Sequence, residues 1–191
     1  ASSKPIADRI ADSKPVVRRG AYAQLATLFA SSGGDASSFD EYGPALKKML
    51  LDNASLCHEN ALDAFGAFVK HAPSHAVSGV ATSAVRSIVE KLLAVPKLQA
   101  KAIEVVVSLV DAGASDAVQS ALFGGVANKV PKVCAAATKT LTVLLKKHGG
   151  SKIDAVELTP LLKSLVTHRD KAVRDEGTAL LDEVRAIRGA K

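Results

Sequence analysis

Three groups of side chains in this sequence are of the kind that chemistry requires. His168-Arg169-Asp170 copies the catalytic-loop triplet in which an aspartate takes a hydroxyl proton during phosphoryl transfer. That chemistry also needs an asparagine five residues past the aspartate to hold a metal, and position 175 is Asp. No β-strand lobe accompanies the triplet either, so it reads as a turn. His71 and His75 stand four apart, but Pro73 interrupts any helix between them and no acidic third ligand is near. Cys57 and Cys134 are nucleophile candidates without a base partner. No glycine-rich loop with Lys and Ser/Thr opens a helix to cradle a phosphate. Gly33-Gly34, Gly124-Gly125 and Gly149-Gly150 read as linkers or helix ends. The expectation is a protein with no catalytic residues, no cofactor and no metal.

What remains is charge without chemistry. Lys and Arg total 25 against 19 Asp and Glu, a net charge of +6. That balance favours an acidic partner, and composition alone leaves nucleic acid, an acidic protein surface and anionic lipid open. Aromatics are 4% of the chain and none is interleaved with the cations, which argues against stacking on bases. No apolar run approaches the length of a membrane span. The two cysteines belong to no spaced set, which suits a reducing compartment. The chain opens Ala1-Ser2-Ser3 without Met, as a processed or excised segment does.

The elements that position these charges follow from an internal repeat. An apolar residue, a small residue four later and an apolar residue eight later recur as Val17, Ala21, Leu25 and as Cys57, Ala61, Phe65. They return as Leu98, Ala102, Val106, as Val133, Ala137, Leu141 and as Val173, Gly177, Leu181. Successive copies are offset by 40, 41, 35 and 40 residues. Positions i, i+4 and i+8 share one helix face, and a small residue at its centre admits a close neighbour. On this stripe Cys57 is a core thiol, whereas Cys134 lies beside it and stays ambiguous.

Each copy follows a second apolar-periodic stretch, and no segment shows sustained two-residue alternation. The prediction is all-α, an α-solenoid of about five antiparallel helix pairs near 4–30, 38–72, 74–112, 114–148 and 154–188, in a single domain over 1–191. Hydrophobic residues are 48% of the chain and Trp is absent, so Ala, Val and Leu are expected to build the core. Breakers separate the pairs: residues 31–38 with Gly33-Gly34, then Pro73, Gly113 and Gly149-Gly150. Pro15, Pro96 and Pro131 mark the starts of second helices. Thr159-Pro160 starts or kinks the first helix of the fifth pair.

Turns within pairs, near 13–16, 52–55, 95–98, 128–131 and 168–171, then line one edge together with helix N-termini. Lys14 and Arg18 belong to the first turn, Asp52 and Asn53 to the second, and Lys97 and Lys101 to the third. Lys129 and Lys132 belong to the fourth, and Arg169, Lys171 and Arg174 to the fifth. Solvated turn residues are the alternative reading of these cations.

The repeat is of HEAT type, and its last two turns are more specific. Asn128-Lys129-Val130-Pro131-Lys132-Val133 and the run from His168 to Glu176 resemble the fourth and fifth turns of TOG domains of the microtubule polymerase family. Asp8-Arg9 with Arg18 and Tyr22, Asp52 with Glu59, Ala61 and Leu62, and Glu183 with Gly189 are compatible with it. The resemblance implies a cytoplasmic, cytoskeletal module of microtubules and spindle, monomeric in isolation, that binds αβ-tubulin through Lys14, Pro15, Arg18, Asn53, Lys97, Lys129, Lys132, Arg169, Lys171 and Arg174. It implies neither a nucleic-acid nor a membrane partner. Departures fall in the first half. The family's first-turn Trp aligns with Pro15, and the often-Lys position after it is Val16. Ala54 stands for Asn, and Gln99 for Lys. The family's sixth helix pair is expected to be missing, since the sequence stops at Lys191. The α-tubulin-facing half is thus expected intact and the β-tubulin-facing half diverged. A HEAT-type scaffold for another protein remains the alternative.

Overall fold

Proline and glycine set where the helices begin and end. The computed structural model describes residues 4–31 and 36–189, so the Gly33-Gly34 linker lies outside the described residues. Pair one is α1 (Ile6–Ile10) and α2 (Pro15–Ser31). Pair two opens with α3 (Ala36–Tyr42) and α4 (Leu46–Leu50), joined by a 3-10 turn over Gly43–Ala45, and closes with α5 (His58–His71). The sequence predicts one helix there, and Pro44 divides it by removing a backbone donor.

Pair three is α6 (Ser74–Ser87), continued by a π-helical turn over Ile88–Leu92, and α7 (Pro96–Asp111). The π turn is closed by Leu93 N–H donating to the Ile88 carbonyl at 2.8 Å. It moves the third turn to residues 93–95, earlier than the predicted 95–98, and places Lys97 inside the first turn of α7. Pair four is α8 (Ser115–Val126) and α9 (Pro131–His148), and pair five is α10 (Thr159–Val166) and α11 (Lys171–Gly189). No strand occurs among the described residues.

Prolines open α2, α7 and α9, where a missing N–H costs nothing. The preceding Val95 and Val130 are both held extended, with φ/ψ of −84°/113° and −86°/111°. Gly113, at φ 93°, ends α7 with Ala114 N–H on the Leu109 carbonyl at 2.9 Å and its own on Val110 at 3.0 Å. Pro160 starts α10 rather than kinking it.

The second helices pack α2 on α5, α5 on α7 and α9 on α11, while the first helices pack α4 on α6 and α6 on α8. The apolar-small-apolar stripe faces the core, and in pairs four and five its small position meets the first helix of the same pair. All of its residues are buried except Val17 and Leu181, which are half-buried. The small positions permit close approach: a Cβ on Gly177 would stand 2.7 Å from Leu165 Cβ and 2.9 Å from its carbonyl carbon. Gly125 meets Ala137 the same way, a Cβ there reaching Ala137 Cβ at 2.7 Å. Both cysteines are buried, which settles Cys134 as a core thiol.

The expected Ala, Val and Leu core holds for pairs three to five and needs correcting for pairs one and two. There Phe29 stacks on Phe39 at 5.3 Å, and Phe68 meets both edge-on at 5.4 and 5.7 Å. Most of the aromatic content is spent on that one seam.

Candidate binding edge

The row of turns is held by two recurring side-chain devices. The first is a carboxylate or amide that accepts the amide two residues on. Asp12 receives Lys14 N–H at 2.8 Å, Asp52 receives Ala54 at 2.8 Å, Asn128 receives Val130 at 2.9 Å and Asp170 receives Ala172 at 2.9 Å. The second is a donor in the first turn of the second helix that reaches back six residues to a turn carbonyl. Arg18 Nη1 binds Asp12 O at 2.8 Å and His58 Nε2 binds Asp52 O at 2.7 Å. Gln99 Nε2 binds Leu93 O at 3.2 Å and Arg174 Nη1 binds His168 O at 2.7 Å. Arg18 and Arg174 each also reach the next carbonyl, Ser13 O at 3.1 Å and Arg169 O at 2.9 Å. Sequence reading missed this second device because its four members are of three residue types. Spacing from the helix start, not identity, is the signal that finds it. The fourth turn lacks it: Cys134 holds the position and donates instead to the Val126 carbonyl at 3.1 Å.

Turns one and two are further locked together. Arg18 Nε and Nη2 grip the two oxygens of Asp52 at 2.7 Å each, and Nη2 also reaches Asn53 Oδ1 at 3.0 Å. Tyr22 donates its hydroxyl to Asp52 Oδ2 at 2.8 Å. The Asp52 side chain is 2% exposed, so this is a buried ion pair. The Arg18 hydrogen bonds hold the Asp52 carboxyl well below the usual carboxylate range, against the opposing effect of burial. The Asp52 hydrogen bonds in turn push Arg18 up. Burial, then the bond to Asp52, raises the Tyr22 phenol.

The structure therefore sorts the ten sequence-derived candidates. Lys14, Asn53, Lys97, Lys129, Lys132 and Arg169 are exposed along one edge, and among the described residues none of those five cations has a side-chain partner. Lys171 is exposed but pairs with Asp175 at 2.5 Å. Pro15 is half-buried as the first residue of α2. Arg18 and Arg174 are half-buried and committed to the turns themselves. Lys101 leaves the edge altogether and bridges α7 to α5 through Asp63 at 2.7 Å and Glu59 at 3.2 Å.

The edge also carries apolar surface that charge-led reading overlooked. Val16 is 68% exposed, Val130 52%, Leu51 43% and Leu56 41%, so most of the exposed large apolar side chains stand at or beside these turns. Such a mixture of apolar residues and free cations suits a protein partner better than a polyanion alone. His168 and Asp170 are spent on their own turn, with Asp170 N–H donating to His168 Nδ1 at 3.0 Å. Burial pushes both cysteine thiols up. Among the described residues no group of His, Cys, Asp and Glu has the arrangement to hold a metal, and no helix is long and apolar enough to cross a membrane.

Comparison with known proteins gives a consistent picture. The sequence profile of the XMAP215/Dis1/CLASP TOG domain matches residues 1–191. Centrosomal protein 224 of Dictyostelium discoideum is 32% identical over 187 residues, covering 96% of this chain and 9% of that protein. Protein mini spindles of Drosophila melanogaster is 30% identical over 191 residues, covering 97% of this chain and 9% of that protein. The chain thus spans about a tenth of these relatives. A solved structure of tubulin recruitment and assembly by microtubule polymerases with TOG domain arrays superposes with a TM-score of 0.81 at 21% identity. It covers 93% of this chain and 39% of that one, a likeness of fold.

Proposed function

Because the chain belongs to the XMAP215/Dis1/CLASP TOG-domain family, we propose that it is a tubulin-binding module of a microtubule-regulating protein, working at microtubules and the spindle. Residues 1–191 act as one domain in this reading, and its partner is the αβ-tubulin dimer. The dimer lies along the row of intra-pair turns. The observation that carries this is the coincidence on one edge of unneutralised cations, Lys14, Lys97, Lys129, Lys132 and Arg169, with exposed Val16 and Val130. The cations meet acidic tubulin side chains, while Arg18 and Arg174 keep the turns in shape. No chemical step is assigned to the chain.

Exposed ion pairs are individually weak, about 0.2–1 kcal/mol each, so affinity depends on several acting together and falls with salt. Size-exclusion chromatography with purified tubulin at low salt tests the proposal. The wild type is expected to co-elute with tubulin, and Lys129→Glu/Lys132→Glu/Arg169→Glu to bind at least about tenfold more weakly. Absence of a wild-type complex, or an unaffected triple variant, overturns it.

A scaffold for another protein is favoured by one observation, that Pro15 takes the place of the first-turn aromatic and is half-buried. Pro15→Trp strengthens a weakened tubulin binder and leaves a scaffold indifferent, so the same column separates the two readings.

A further inference from the structure

Neutralisation of charge between neighbouring repeats is one-sided. Along the second helices, cations meet acids one repeat away: Lys101 with Asp63 at 2.7 Å, Lys147 with Asp111 at 2.7 Å and Lys146 with Glu183 at 3.6 Å. Along the first helices, the seam between pairs two and three does the opposite. There α4 and α6 with its π turn enclose a groove of about 480 Å³. Lys47 stands on one wall, Arg86 and Lys91 on the other, and Glu90 is the one acid that lines it. All three cations are exposed, and among the described residues none has a hydrogen-bond or ion-pair partner.

The groove is shaped as well as charged. Gly79 and Ser83, four apart on α6, keep that wall low, and a Cβ at Gly79 would meet nothing within 4 Å. Thr82 adds an exposed hydroxyl with no partner among the described residues. The Ser83 and Ser87 hydroxyls donate back to their own helix at 3.1 and 2.9 Å, which leaves their oxygens as acceptors. Leu51, 43% exposed, supplies an apolar spot at the end nearest the second turn. The π turn brings Glu90 and Lys91 into the lining, at a kind of helix irregularity that is frequent at functional sites.

We propose that this groove between the first helices of pairs two and three is a second binding site, one that takes an extended acidic polypeptide segment. Carboxylates pair with Lys47, Arg86 and Lys91, and one apolar side chain rests on Leu51. Peptide is favoured over nucleic acid because no aromatic lines the groove for base stacking. It is favoured over a lipid surface because the cations line a concavity instead of ringing a protruding apolar patch. The site meets the row of turns only at Leu51, its cations all lie on the first helices, and it does not depend on the tubulin reading.

Fluorescence anisotropy of a fluorescein-labelled peptide of twelve glutamates, at low salt, tests it. Reversal at Lys47→Glu/Arg86→Glu/Lys91→Glu is expected to weaken binding at least about tenfold. The edge variant Lys129→Glu/Lys132→Glu/Arg169→Glu, which fails with tubulin if the first proposal holds, is expected to stay within about threefold of wild type here. The neutral set Lys47→Gln/Arg86→Gln/Lys91→Gln, with helicity checked by circular dichroism, separates lost sites from lost fold and is expected to weaken binding to an intermediate degree. Equal loss in the groove and edge variants indicates charge attraction without a site and overturns the proposal. So does unchanged binding by the groove variant, or tighter binding of a twelve-nucleotide oligo-dT than of the peptide.

Discussion

Asp52 shows how one residue decides what another is for. Read from sequence, Arg18 is a surface cation; in the fold its guanidinium is closed on a buried carboxylate and two turn carbonyls. Removing one side of this pair leaves the half-buried Arg18 charge without its partner, at about 1–3 kcal/mol. Asp52→Asn is accordingly expected to lower the thermal midpoint measured by circular dichroism at pH 7. The pH dependence has a definite sign. The folded carboxyl titrates below its unfolded value, so the stabilisation is fully present above about pH 4 and is lost as pH falls below that towards the depressed folded value. Wild type therefore loses stability on acidification through that window, and the asparagine variant loses less. A parallel loss in both proteins would contradict this.

At the scale of helices, the repeat was legible because close packing leaves a mark at fixed spacing. The small position of the stripe is the clearest case, and two glycines test it in opposite directions. Gly177→Ala pushes a methyl into the backbone of Leu165, an overpacking that costs about 1–3 kcal/mol and exceeds the gain in helix propensity. Gly20→Ala lies in the interior of α2 with nothing in reach, so only the propensity gain, up to about 1 kcal/mol, remains. Urea midpoints are expected to fall for the first variant and rise for the second. What was not legible also has physical causes. The break at Pro44 and the π turn after α6 interrupt a helix without interrupting its apolar period, so Leu46 and Leu93 stay buried either way. The reach-back donors at Arg18, His58, Gln99 and Arg174 share a place and not a residue type. Free cations could not be told from paired ones, because Lys101 and Lys97 differ only in which acid the fold brings near.

Across the whole molecule, each repeat is supported by its neighbours, so stability is a sum of local seams. The seams differ in material. Pairs one and two meet through Phe29, Phe39 and Phe68, whereas α7 and α9 are bridged by Lys139 to Gln99 at 3.1 Å and Lys147 to Asp111 at 2.7 Å. Removing Phe68 is expected to cost about 3–5 kcal/mol. In a solenoid that loss should be felt locally first. Hydrogen exchange of Phe68→Ala is expected to quicken in α2 and α5 while α9 and α11 hold their protection. Uniform loss across all five pairs would show a single cooperative unit instead.

The fourth turn, alone among the five, has no donor reaching back to its carbonyl, yet it presents Lys129, Val130 and Lys132 to solvent. Its shape is set by the Val130 amide on Asn128 Oδ1 at 2.9 Å, by Asn128 N–H on the Gly125 carbonyl at 3.1 Å and by the helix that follows. A partner that grips this turn must therefore supply the ordering that the other turns carry within themselves, and part of the binding free energy there is spent as lost conformational entropy. The edge thus combines four turns tied by a donor reaching back six residues with one that is held without it.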